Sequence, residues 1–136
     1  MREFKIPGKA QAKQRPRMGR SGVVYTPKET LIYENYVKMC YSDYANQFEW
    51  LPYENQVRAE IDVLVAVPKS DSKAKKQAKI EGMIRPTVKP DCDNLAKSIL
   101  DSLNGLAYQD DKQVVELSIK KYYAENAEVR VRLTEV

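Results

Sequence analysis

Along this chain the spacing of apolar positions changes period several times, and each change marks an element. Near the start Phe4 and Ile6 alternate with Glu3 and Lys5, which predicts a short strand ended by Pro7-Gly8. Residues 8–25 show no period and scatter Gly8, Pro16, Gly19, Ser21 and Gly22 among basic residues, the composition of a loop. Thr26-Pro27 followed by Glu29 has the order of an N-cap, a first-turn proline and a capping box. Behind it Tyr33, Tyr36, Val37, Cys40, Tyr41 and Tyr44 recur every three or four residues, one face of a helix reaching about residue 47. Tyrosines can stack on bases, but a stripe at helical spacing is the mark of a packed face, and we read it as core.

From Val57 to Val67 the odd positions Val57, Ala59, Ile61, Val63, Val65 and Val67 are apolar while Arg58, Glu60 and Asp62 are not, a strand with one buried face, stopped by Pro68. Residues 69–83, rich in Lys, Ala and Gln, predict a short exposed helix, and 84–90 a linker ending in Lys89-Pro90. Leu95, Ala96, Ile99, Leu100 and Leu103 stripe a second main helix over about 92–103, closed by Asn104-Gly105. Then Val115, Leu117 and Ile119 alternate with Glu116, Ser118 and Lys120, and Val129, Val131 and Leu133 with Arg130 and Arg132. Glu125-Asn126 reads as the hairpin turn joining these two strands. The order β-α-β-α-β-β predicts one α+β domain over residues 1–136, a small mixed sheet of about four strands with two main helices packed on it. The charged outer face of the last two strands is expected to meet solvent or a partner.

Composition adds limits. The chain has 136 residues, 43% hydrophobic and 31% charged, enough for one core and without the bias of a disordered segment. The longest apolar runs, such as residues 63–67, fall far short of the roughly 20 residues that span a bilayer, and no signal-peptide pattern opens the chain. Cys40 and Cys92 make no disulfide framework, so reduced thiols and a cytoplasmic location are expected. Charge is unevenly spread. Residues 1–28 carry eight Lys and Arg against Glu3 alone, a net +7, and residues 69–89 carry seven against Asp71 and Glu81, a net +5. The whole chain is only +4, so two basic segments bracket an acidic remainder. Either they are plain solvated surface, or they hold a polyanion such as nucleic acid; their placement around an acidic cluster favours the second.

That cluster runs from Lys89 to Asp101 and continues at Gln109-Asp110-Asp111-Lys112. On a helix Asp93 and Lys97 share a face about 40° wide, and Asp101 extends the line. Pro90 disfavours helical geometry before it, leaving Asp91 in the non-helical entry beside Asp93. Carboxylate oxygens are the ligands Mg²⁺ takes, a few from protein with water and phosphate completing the octahedron. Asp110 or Asp111 would supply a third, and spacing does not choose between them. The chain has no histidine, which excludes a histidine base, nucleophile partner or metal ligand. Phosphodiester hydrolysis would therefore rest on a metal-activated water, with Lys97 opposing charge on the phosphate or holding the water. Each residue also has a plain structural reading. Asp91 or Asp93 would then be an N-cap alone, Lys97 an i,i+4 partner of Asp93 and Asp101, and Asp110-Asp111 a turn.

The run Pro90-Asp91-Cys92-Asp93-Asn94-Leu95-Ala96-Lys97, with Asp101-Ser-Leu-Asn104-Gly105 and Asp110-Asp111-Lys-Gln-Val114, resembles the signature of RusA-like Holliday junction resolvases. Lys13-Gln-Arg15-Pro16-Arg17 and Tyr25-Thr26-Pro27 are similar to that family's opening segment. The resemblance implies a homodimer of small mixed-sheet subunits, typically encoded by phages and prophages, that nicks two opposing strands of a four-way DNA junction. It implies Asp91, Asp93 and Asp111 as ligands of Mg²⁺ (or Mn²⁺ in its place) and as catalytic groups together with Lys97. No small-molecule cofactor and no membrane enter that expectation. We expect Lys13, Arg15, Arg17, Lys73 and Lys76 to contact DNA phosphates. Cys92 departs from the apolar residue more usual between the aspartates, though a small thiol fits such a place. A different class, a non-catalytic branched-DNA or RNA binding module with a structural acidic cluster, is the rival reading.

Overall fold

The computed structural model describes all of residues 1–136. Its elements are β1 (Arg2–Pro7), β2 (Arg17–Met18), β3 (Val24–Tyr25), α1 (Lys28–Phe48), β4 (Val57–Ala66), α2 (Lys73–Ile80), α3 (Cys92–Ser102), a single 3-10 turn (Asp111–Gln113), β5 (Val114–Ala124) and β6 (Glu128–Glu135). Four strands form one mixed sheet in the order β1-β6-β4-β5, with β4 and β5 parallel and the other pairs antiparallel. This is the expected α+β architecture.

The odd-position stripe of β4 does what its period foretold. Val57, Ala59, Ile61 and Val63 are buried, as are Phe4 and Ile6 of β1 and Val129, Val131 and Leu133 of β6. Against that face pack Tyr33, Val37, Cys40 and Tyr41 of α1 and Leu95, Ala96, Ile99 and Leu100 of α3, so the two long helices cover one side of the sheet. The tyrosine stripe is core: Tyr41 meets Phe4 edge to face at 5.2 Å, and Tyr36 donates its hydroxyl to the Pro7 carbonyl. On the opposite face, opposed charges pair across the strands. Arg132 lies 3.0 Å from Asp62 and 3.5 Å from Glu60, and Arg58 lies 2.5 Å from Glu116.

Three local expectations are corrected. Val114–Ala124 and Glu128–Glu135 do not form a hairpin, because β4 lies between them; residues 125–127 instead cross the end of β4. Period two reports which face a strand buries, not which strand it pairs with. Thr26 is not the cap of α1: the helix starts at Lys28 with Pro27 at the cap and no side-chain cap bond. Within the 8–25 loop, Arg17–Met18 and Val24–Tyr25 pair as a two-residue ribbon. Past α3, Gly105 takes φ +78°, the left-handed conformation that its place after a helix demanded.

Candidate active site

Helix α3 and the turn before β5 carry the acidic cluster. Asp91 stands at the helix entry in extended conformation, the N-cap position, yet its carboxylate makes no cap hydrogen bond. It accepts instead from the Asn94 side-chain amide at 3.2 Å. It is exposed and opens on a polar cleft of about 380 Å³ with Lys9, Lys13, Lys89 and Asn94 in its walls. Asp93 lies in the first turn, where the helix dipole favours negative charge. Lys97 follows one turn later, and both side chains are exposed. Neither forms a salt bridge. The cap and the i,i+4 pair that would have made these residues merely structural are therefore not formed.

Asp101, next along the same line, is claimed by a residue far away in sequence. The Lys13 ammonium stands 2.9 Å from Asp101 Oδ2 and 3.3 Å from Glu34 Oε1, bridging α3 and α1. The Lys13 amide donates to the Asn94 carbonyl and the Gln14 amide to Thr30 Oγ1, so this end of the basic loop is stitched to both helices. Burial works to lower the Lys13 pKa, but its bonds to Asp101 and Glu34 outweigh that and leave it raised. The expected phosphate contact at Lys13 is thus already engaged with carboxylates.

The structure separates the two adjacent aspartates. Asp110 caps the 3-10 turn, accepting from the Lys112 amide at 2.9 Å, and the Gln113 side chain returns to the Gln109 and Asp110 amides. The bond from Lys112 holds the Asp110 carboxyl below its usual range. Asp111 has no such support. Burial, then Asp101 and Asp110 beside it, pushes its carboxyl up. Asp111 thus sits with Asp101 toward the far end of α3, while Asp91 begins the helix, a rise of about 15 Å earlier. No three Asp, Glu, Cys or His side chains gather closely enough to grip a metal ion. The expected convergence of Asp91, Asp93 and Asp111 is not preformed; they are spread along one helix and its exit turn. Their donor chemistry nonetheless suits a hard dication, because a carboxylate crowded by two others is what such an ion relieves.

Of the expected phosphate contacts, Arg15 and Arg17 are exposed in the 8–25 loop and Lys73 is exposed on α2, none in a salt bridge. Lys76 is half-buried at a broad cleft shared with Lys69 and Arg130. In the same helix Lys79 is structural, buried 2.5 Å from Asp71 and under the Tyr123 ring. Sequence reasoning counted Lys9 and Lys89 in the basic segments but gave them no place at the site, and nothing in the sequence singled out Glu34; the fold brings Lys9, beside Gly8, and Lys89, beside Pro90, to one cleft.

The family described as Endodeoxyribonuclease RusA matches residues 7–134. A protein of Bacillus subtilis (strain 168), "Uncharacterized protein YqaN", is 36% identical over 139 residues that cover 98% of this chain and 96% of the relative. No helix is long and apolar enough to cross a membrane. With the match running through both the basic loop and the acidic helix, the chain belongs to the RusA family of endodeoxyribonucleases.

Proposed function

We propose that the protein is a divalent-metal-dependent, structure-selective endonuclease that resolves four-way (Holliday) DNA junctions by paired symmetric nicks, acting as a homodimer. The observation that carries this reading is a group of charged side chains on α3 and its exit turn that the fold does not use for its own stability. Asp91 does not cap, Asp93 and Lys97 pair with nothing, and Asp111 is crowded. Asp91, Asp93 and Asp111, which do not converge in the free chain, would have to be drawn together by the ion and the DNA phosphate to hold Mg²⁺, with Mn²⁺ able to replace it. The bound ion would supply an activated water and charge neutralisation at the phosphate. Lys97 donates to a non-bridging phosphate oxygen as charge builds there. Asp110 and Gln113 fix the turn that presents Asp111. Arg15 and Arg17, with Lys73 and Lys76 on α2, track the DNA backbone, and release of Lys13 from its carboxylates would add a further cation. Paired incision needs two sites related by a two-fold axis, which a homodimer provides.

A labelled mobile four-way junction, a Y-shaped duplex and a linear duplex, compared at one fixed salt concentration, test this. Symmetric Mg²⁺-dependent nicks confined to the four-way substrate are expected, and Asp93→Asn should bind the junction without cutting it. Tight binding with no metal-dependent nicking would hand the protein to the rival class of binding modules. Equal cutting of Y-shaped DNA or RNA would mark a nuclease of another specificity.

A further inference from the structure

Two clefts meet beside Asp91. The polar one, about 380 Å³, contains Asp91 and Asn94. The other, about 410 Å³, is walled chiefly by Val63, Leu64, Val65, Val88 and Ala127, within the size range of small-ligand pockets. They share Lys9, Ala10, Lys89 and Pro90, so the two lysines stand on the rim between a wet site and a dry one. Both lysines are exposed and neither is in a salt bridge. The dry cleft lies where β4 runs out beside the start of β6, with Leu64 and Val65 only half covered.

We propose that the paired clefts form a seat for one nucleotide: Lys9 and Lys89 take its phosphate, and the apolar cleft takes its unpaired base. Two free ammonium groups at a rim attract a phosphodiester, and the group one sugar away from any phosphate is a flat, weakly hydrated base. In continuous duplex that base is held by stacking and pairing and cannot enter. At a branch point, where pairing and stacking are already interrupted, extrusion costs least. The seat would thereby favour branched over linear DNA, through a pocket rather than through backbone shape alone. This inference rests on the branched-DNA reading above and names where that preference is exercised.

The test uses the full chain in EDTA, so that nothing is cut, with 2-aminopurine placed at the branch point of a four-way junction. No aromatic ring lines the apolar cleft, so an unstacked 2-aminopurine seated there stays bright. A several-fold rise in emission on binding is expected, and none when the label lies within an arm. Ala127→Leu adds bulk to the cleft lining, and Val88→Met does so from an exposed position outside the core. Each should remove most of the rise while keeping junction affinity within about tenfold, because unstacking the base costs most of what seating it returns. Lys9→Ala with Lys89→Ala should lower both the rise and the salt dependence of binding. An unchanged emission in the wild-type complex, or a rise that survives both cleft variants, overturns the seat. If the protein nicks four-way DNA while the probe stays dark, the seat alone fails; if it neither binds nor nicks such DNA, the underlying reading fails with it.

Discussion

At Asp111, burial and the neighbouring carboxylates of Asp101 and Asp110 hold the carboxyl above its usual range. An acid whose pKa is higher folded than unfolded binds its proton more tightly in the folded state. Its stabilising contribution is therefore present at low pH and lost as pH rises through the raised value. Ionised Asp111 accordingly weakens the fold near neutrality. Asp111→Asn should raise Tm at pH 7.5, with much less change at pH 4, while nicking falls by about 10²- to 10⁴-fold, the several kcal/mol expected of a metal ligand. Thermal melts at the two pH values and a junction assay check both halves. Lys13 makes the converse case. Lys13→Ala leaves Asp101 and Glu34 facing each other without their cation, and should cost about 1–2 kcal/mol in urea unfolding. At this scale the sequence disclosed the cluster but not its division of labour. The different surroundings of Asp110 and Asp111 became visible only with the Gln113 side chain closing a capping box on Asp110, and Lys13 finding Asp101 spans 88 positions.

Period and length made the main elements legible: the Leu95–Leu103 face of α3 is buried throughout, and the stripes of β4 and α1 bury most of the residues their spacing named, with Val65, Val67, Tyr36 and Tyr44 only half-buried. What spacing cannot carry is partnership. Of the two strands read as a hairpin, β6 buries its stripe of Val129, Val131 and Leu133, whereas Val115 and Leu117 of the edge strand β5 stay exposed, so their alternation named neither a partner nor a buried face. The Thr26 cap failed by one position, since Pro27 takes the cap place and spacing fixes a helix boundary only to within a residue or two. Because α3 both anchors the core and carries the proposed site, truncating its buried face should be felt in both. Ile99→Ala, at a fully buried position, should destabilise by about 2–5 kcal/mol, whereas Val115→Ala, half exposed on the edge strand, should stay within about 0.5 kcal/mol. Denaturant midpoints of the two variants decide.

Taken whole, the molecule is charged asymmetrically in a way its net +4 hides. The outer face of the sheet neutralises itself through Arg58–Glu116 and Arg132–Asp62, leaving unpaired arginine in the loop between β1 and α1. Arg15→Ala with Arg17→Ala should lower the slope of log affinity against log salt by about 2, close to 0.9 per lost phosphate contact, and an Arg58→Ala control should leave it in place. Binding titrations at four salt concentrations measure this. The strand order has a consequence of another kind. Strand β6 fills the slot between β1 and β4, and β1 has no other partner in the sheet. Strand β6 follows the other three strands of the sheet in the chain, so β1 waits without a strand neighbour, Phe4 covered only from the α1 side by Tyr41, until residues 128–135 emerge. Removing those residues should therefore collapse the molecule as one unit instead of fraying an edge, and far-ultraviolet circular dichroism of a chain stopped at residue 127 should report an unfolded polypeptide.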